Sequence, residues 1–142
     1  MRDAFHDDLD SIEATLVEMA QLVNRAMERA TTALLTSDLK LAEEVISEDD
    51  RIDEMQHELD NKTLNVMARQ QPVARDLRTL VTSLRMSADL ERMGDLAHHI
   101  AKLARMRYPN CAVPEELRPA FKDMGTVATR IIEKVGKVID QH

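Results

Sequence analysis

Aromatic residues are scarce in this sequence: tryptophan is absent, and 142 residues include one tyrosine and two phenylalanines. The hydrophobic core must therefore be aliphatic. Only three glycines and four prolines are present, so few positions would interrupt a helix. Nine methionines suit such a core, because methionine fills irregular gaps between packed helices. At this length we expect one domain with a single core.

Cysteine occurs once, at Cys111, so the chain cannot form an internal disulfide and we expect a reducing compartment. Cys111 lies in a YPNCAVP loop without a neighbouring histidine or acid, and we interpret it as inert. The sequence also lacks a run of about 18 apolar residues, and its start, MRDAFHDDLD, lacks the apolar segment of a signal peptide. These absences predict a soluble cytoplasmic protein with no direct membrane insertion.

Positive charge is in the minority, with 19 basic against 26 acidic side chains and a net charge of -7. The phosphate backbone of a nucleic acid is negatively charged and attracts basic proteins. Because this chain is acidic, we expect no nucleic acid partner. Cations or basic protein surfaces are better candidates.

Apolar residues recur with helical spacing along most of the chain, and no strand pattern occurs. The pattern predicts helix 1 over residues 9–34, helix 2 from the capping residues TSD to Arg69, helix 3 with Pro72 in its first turn, and helix 4 starting or kinking at Pro119. Short links favour antiparallel neighbours. The predicted fold is all-α: an antiparallel up-and-down three-helix bundle (1–107), a loop (108–116) and a fourth long helix (117–142).

Two pairs of acids have the i, i+4 spacing that places both carboxylates on one helix face: Asp49 with Asp53, and Glu91 with Asp95. Each pair alone is typical of a solvated face. However, the first pair centres 21 residues before Pro72 and the second 21 residues after it. In a hairpin turning at that proline, both pairs would lie level, about 31 Å from the turn. Four converging carboxylates suit Mg, Ca, Mn or Fe better than Zn or Cu.

We expect these acids in an outer groove between helices 2 and 3, because apolar residues of helix 3 lie on the face opposite Glu91 and Asp95, namely Met86, Leu90, Met93, Ala97 and Ile100. The predicted stripe of helix 3 as a whole runs through Leu77, Leu80, Val81, Leu84, Ala88, Leu90, Met93, Ala97, Ile100 and Ala104. Two interpretations of Gly94 are open: it lets a backbone or bridged ion approach closely, or it serves tight helix packing only.

The histidines suggest a rival, a di-iron oxidase, because Glu54 with His57 and Asp95 with His98 have the i, i+3 spacing of di-iron bundles. In the predicted hairpin these two pairs differ in level by about 12 Å, which argues against a shared site. His98 and His99 are more typical of a surface, although His98 follows Asp95 by one turn and could join it.

Three segments resemble one repeat of the PhoU family of bacterial phosphate-signalling regulators: DLKLAEEVISEDDRIDEM, QQPVARDLR and DLERMGDLAHHIAKLA. The similarity extends from about Phe5 to Ala104. It implies a three-helix bundle whose D/E-x-x-x-D motifs bind clusters of iron or another metal. Those motifs map onto Asp49 with Asp53 and onto Glu91 with Asp95, with Fe, Mn, Mg, Zn and Ca all open.

The resemblance also implies regulation rather than catalysis. Proteins of this family restrain the phosphate response by linking PstB, the ATPase of the Pst phosphate transporter, to the sensor kinase PhoR. We therefore expect a non-enzymatic adaptor in contact with those partners, the alternative being a purely structural bundle whose acids serve solubility.

The sequence departs from the family in lacking a second ERxGD motif and a second acidic DxxxD. We expect either a truncated chain or a naturally short member, and the first is favoured. Helix 4 resembles only the opening helix of a second repeat, and its apolar stripe predicts a homodimer or helix exchange.

Arginines cluster at the predicted hairpin turn, at Arg69, Arg75 and Arg78. They are interpreted either as helix-end residues that pair with Asp76 or as an edge for docking a partner.

Overall fold

Four long helices build the protein, and the computed structural model describes residues 2–140, with the side chains of 4–139. They are α1 (Arg2–Thr36), α2 (Leu39–Gln70), α3 (Ala74–Arg107) and α4 (Arg118–Asp140), with a 3-10 turn at Glu115–Leu117. No strand occurs within the described range. The predicted all-α fold, a bundle with a fourth long helix, is confirmed.

Two tight turns make α1, α2 and α3 antiparallel neighbours. Asp38 caps α2 by accepting a hydrogen bond from the backbone N–H of Leu41 at 3.0 Å, as the TSD segment predicted. At the second turn, Gln71 has a positive φ of 43° and ends α2. The prediction that Pro72 occupies the first turn of α3 was wrong. Val73 takes the extended N-cap position, so α3 begins at Ala74, because the chain must still change direction after the proline.

Helix α1 is the centre of the fold, since it packs against α2, α3 and α4, whereas α4 touches no other long helix among the described residues. The side chains of α1 are therefore buried on several sides of the helix. The buried residues of α1 are Ile12, Leu16, Met19, Ala20, Val23, Ala26, Met27, Ala30, Ala33 and Leu34.

Helix α3 faces the bundle mainly with small residues, which corrects the predicted stripe. Its buried residues are Leu80, Ser83, Ser87, Leu90, Gly94, Ala97, Ala101 and Ala104. Leu77 is instead 41% exposed, and Met93 and Ile100 are only partly buried. Small side chains let α3 approach its neighbours closely and leave the bulkier residues at the edges of the contact. A prediction that follows only the large apolar side chains therefore assigns the wrong face of α3 to the core.

Gly94 lies where α3 packs closely against Ile52 of α2. A Cβ added there would be 3.2 Å from Cδ1 of Ile52 and 3.7 Å from Cγ2 of Val23. The neighbours of Gly94 are thus apolar side chains of α2 and α1. This environment supports the tight-packing interpretation of Gly94.

Helix α4 lies antiparallel along α1, in a contact that we call the α1–α4 seam. Gly125 faces Thr31, and Gly136 faces Ala20. Ile132 and Ile139 are buried in or beside it, at 1% and 5% exposure. An adjacent flank of α4 remains exposed, and it carries Phe121, Met124, Val127, Ile131 and Val138, while Leu117 of the preceding 3-10 turn is exposed as well. The homodimer remains a prediction. The division of the chain into a bundle (1–107), a loop (108–116) and a fourth helix (117–142) also remains a prediction.

The segment between α3 and α4 is attached to the end of α1 through Cys111. The thiol is partly buried and donates a hydrogen bond to the carbonyl oxygen of Leu34 at 3.3 Å. None of the described helices is both long enough and apolar enough to span a bilayer.

Candidate metal site

The two acid pairs meet across the groove between α2 and α3. Asp49 and Asp53 of α2 and Asp95 of α3 each offer a ligand atom, and these atoms lie within 4.8 Å of one another. Both helices are uninterrupted between the acids and the turn, so the constant helical rise carries the pairs to one level. We call Asp49, Asp53, Glu91 and Asp95 the acid cluster.

Glu91 completes the acid cluster from the next turn of α3. Its pKa is raised, first by burial and then by the negative charges of Asp95 and Asp53. Glu91 therefore lies beside Asp95 and Asp53, although it is not part of the tightest group. The structure brings together all four residues that the sequence singled out.

Asp49 belongs to the tightest group, and 13% of its side chain is accessible. Burial is the largest cause that raises its pKa, and Asp53, Asp95 and Asp50 add to the increase. His98 acts in the opposite direction, and its Nδ1 lies 3.6 Å from Oδ2 of Asp49. The acid cluster is thus held together at an electrostatic cost.

Another pair of acids on α2 shows how the protein neutralises such charge elsewhere. Glu44 and Glu48 have the same i, i+4 spacing and share one guanidinium, that of Arg29 on α1, whose Nη1 lies 3.1 Å from Glu48. Within residues 4–139, no arginine or lysine lies within 4.0 Å of the acid cluster in the same way. Among the side chains that the structure describes, its only cationic neighbour at that distance is His98, and only when His98 is protonated.

The dimensions of the cluster fit a bound cation. Carboxylate oxygens lie roughly 2.0–2.6 Å from Mg or Ca, so two oxygens on opposite sides of one ion are separated by up to about 5 Å. The separations of up to 4.8 Å between the three aspartates are within that limit. Oxygen donors favour hard cations, while neutral His98 could add one nitrogen donor, which Fe, Mn or Zn accept readily.

Sequence reasoning gave His98 less weight than the structure does. His98 follows Asp95 by three residues, a spacing that shares a helix face, and this was the available signal. By contrast, Glu54 and His57 are exposed and lie outside the group of possible ligands. Helix α4 contacts α1 only, so among the described residues it supplies no glutamate to this groove. The geometry therefore gives the di-iron alternative no support.

Comparisons with known proteins identify the family. The PhoU domain profile matches residues 16–104. Over 142 residues the chain is 44% identical to the phosphate-specific transport system accessory protein PhoU homolog 2 of Mycobacterium tuberculosis, covering 100% of this chain and 67% of that protein. The chain belongs to the PhoU family.

Solved PhoU structures share the fold. The chain resembles PhoU from Pseudomonas aeruginosa with a TM-score of 0.87 and 26% identity, over 96% of this chain and 65% of that one. It resembles the phosphate transport system regulatory protein PhoU from Streptococcus pneumoniae with a TM-score of 0.81 and 27% identity, over 93% and 61% of the two chains.

The PhoU chain described here thus spans about two thirds of the length of these proteins. Their names describe accessory and regulatory proteins, and the expectation of a non-enzymatic protein is confirmed for the family. The matched range includes both pairs of the acid cluster.

Proposed function

We propose that this PhoU chain is a metal-binding regulatory adaptor of phosphate signalling in the cytoplasm. It restrains the phosphate response by linking PstB, the ATPase of the Pst transporter, to the sensor kinase PhoR. The observation that carries the proposal is the acid cluster itself, which lies within the part of the chain that matches the PhoU domain. The regulatory names of its relatives support the adaptor role.

A metal ion has a structural consequence in this proposal. The acid cluster takes ligands from α2 and from α3, so a shared ion joins the two helices and cancels the repulsion that their carboxylates create. The α2–α3 groove then changes shape and charge when the ion is lost. An adaptor could report metal occupancy to a partner in this way.

The test is the metal content of a variant in which all four acids are neutralised without a large change in shape. We expect the unaltered chain, loaded with manganese or iron and then desalted, to retain bound metal. The variant should retain none, because its amide side chains lack the charge that holds the ion. Elemental analysis measures the stoichiometry. The substitutions are Asp49→Asn, Asp53→Asn, Glu91→Gln and Asp95→Asn.

A matched control removes the same number of charges from acids outside the cluster. Glu44 and Glu48 have the same spacing on the same helix, and Glu54 and Glu58 are exposed nearby. Metal retention should be unchanged when these four are converted to glutamine. Equal metal content in the unaltered chain and the cluster variant would eliminate the site and favour a purely structural bundle.

The regulatory half of the proposal is tested separately in cells that lack their own PhoU. Expression of the unaltered chain should lower the output of a phosphate-responsive promoter when phosphate is plentiful, and the cluster variant should lower it less. No effect of the unaltered chain would reject the regulatory role and leave the metal site untouched.

A further inference from the structure

The connection between α2 and α3, which we call the α2–α3 tip (residues 69–78), exposes apolar side chains. Val73 is 70% exposed and Leu77 is 41% exposed. They are four residues apart at the start of α3, a spacing that places them on one side of the helix. The next apolar residue, Leu80, is fully buried. The tip therefore presents a small apolar surface to solvent just beyond the end of the core.

Arginines surround this surface. The side chain of Arg69 is 64% exposed, and its one acidic contact is Asp8, at 4.0 Å. Arg75 and Arg78 are also exposed. Within residues 4–139, no carboxylate lies within 4.0 Å of either, so the geometry does not support their pairing with Asp76. The tip thus carries three arginines against one acid, Asp76, in a chain whose net charge is -7.

The start of α3 is only partly favourable for a helix N-terminus. Asp76 in the first turn suits the helix dipole, but the positive charge of Arg75 beside it opposes the dipole. Valine is a poor N-cap, and Val73 makes no capping hydrogen bond with its side chain. Residues that break local rules without a compensating contact are expected where a surface serves another purpose.

We propose that the α2–α3 tip docks an acidic protein surface that carries an apolar side chain. Val73 and Leu77 receive the apolar group, while Arg75 and Arg78 pair with the carboxylates beside it. This inference rests on the proposed adaptor function, since an adaptor needs a surface for a partner.

The charge distribution favours a protein over a polyanion. An anionic bilayer or a nucleic acid presents charge over a wide area, which the rest of this acidic molecule repels. Recognition of anionic lipids usually uses clusters of about 4–8 basic residues, more than the tip supplies. A protein partner needs to match only the tip itself.

The test is a double charge reversal, Arg75→Glu with Arg78→Glu, in the full chain. Binding of the unaltered chain to purified PhoR and to purified PstB is measured first by calorimetry. For the partner that binds the tip, we expect the Kd of the double variant to rise by about tenfold or more, because like charges then face each other. The melting temperature should not fall, since glutamate is favourable at a helix N-terminus.

The matched control reverses two exposed arginines at the other end of the same helix, Arg105→Glu with Arg107→Glu. It changes the net charge equally and should leave the Kd unchanged. A partner that binds the unaltered chain and both variants alike would overturn the tip as the docking surface. Absence of binding by the unaltered chain to either protein would instead reject the adaptor function, and the tip proposal with it.

A second measurement separates lipid from protein. Vesicles of phosphatidylglycerol and phosphatidylcholine are sedimented with the unaltered chain and with the tip variant. We expect no sedimentation of either chain. Vesicle binding that is lost on reversing Arg75 and Arg78, with protein binding retained, would assign the tip to a membrane and overturn the proposal.

Discussion

The α2–α3 groove and the α1–α4 seam are both contacts between antiparallel helices, but they differ in what lies at their centre. The groove gathers carboxylates whose pKa values are raised by burial and by one another. The seam buries aliphatic side chains such as Ile132 and brings glycines of α4 against α1. One contact carries unneutralised charge at a cost in stability, whereas the other gains stability from apolar burial.

This difference separates residues that hold the fold from residues that are free to serve a ligand. The charges in the groove contribute little to folding, because like charges repel and no arginine compensates them as Arg29 does for Glu44 and Glu48. Their presence together supports the proposal that a ligand supplies the missing charge. The seam needs no such ligand, and its substitutions should affect stability alone.

The largest effect is expected in the seam, from Ile132→Ala. Ile132 is 1% exposed, so truncation leaves a cavity and should lower the free energy of unfolding by about 2–5 kcal/mol. Its neighbour Ile131 is 52% exposed, and Ile131→Ala should change stability by less than about 0.5 kcal/mol. Denaturant unfolding compares the two, and equal losses would mean that α4 is not seated as described.

The second-largest effect on stability is expected in the α2–α3 groove and requires a bound metal ion. At a free manganese concentration 100 times its Kd, binding to the native state alone should stabilise the chain by ~2.7 kcal/mol. Thermal melts with metal and with a chelator measure the shift. It should vanish in the Asp49→Asn, Asp95→Asn double variant and persist in Glu44→Gln, Glu48→Gln. A shift of the same size in all three chains would point to binding elsewhere.

Two glycines of the seam should respond to alanine with opposite signs. A Cβ at Gly125 would be 2.5 Å from Cγ2 of Thr31, whose hydroxyl is held by a hydrogen bond to the carbonyl of Met27. Overpacking of this kind costs about 1–3 kcal/mol, against which the better helix propensity of alanine recovers ~1 kcal/mol. At Gly136 the nearest atom is 3.8 Å away, so Gly136→Ala should stabilise by up to about 1 kcal/mol. Equal signs in thermal unfolding would contradict the described spacing of α1 and α4.

The smallest effect concerns the metal-free groove and depends on pH. The pKa of Asp49 in the folded chain is raised above its ordinary value of 3.8, so the folded chain binds this proton more tightly than the unfolded chain does. The stability associated with protonated Asp49 is therefore complete below 3.8 and is lost as the pH rises through the folded pKa. Asp49→Asn should stabilise the metal-free chain at neutral pH by about 0.2–0.5 kcal/mol, as expected for removing one like-charge contact.

This gain should shrink as the pH is lowered through the folded pKa and disappear below 3.8, where Asp49 becomes protonated in both states. Glu54→Gln, at an exposed site on the same helix, is the matched control. Urea unfolding at several pH values measures both. A gain that grows on acidification would reverse the sign and contradict the described environment of Asp49.

Some features were predictable because they depend on local geometry. Helix α2 ends where Pro72 prevents its continuation, and the rise per residue then brings residues an equal distance before and after the turn to one level. The acids of both helices could be matched for that reason. His98 could be placed on the correct face by its spacing from Asp95, but its approach to Asp49 depends on how far α3 is rotated about its own axis.

The amino-acid sequence by itself determined four helices, their approximate ends and the common level of the two acid pairs, since periodicity, capping residues and a proline act over a few turns. Only the tertiary structure decided that α3 packs through Gly94 and its small neighbours, that α4 lies along α1, and that His98 faces Asp49. These features depend on which surfaces fit together across the whole molecule, and the shape of a contact is a property of both helices at once.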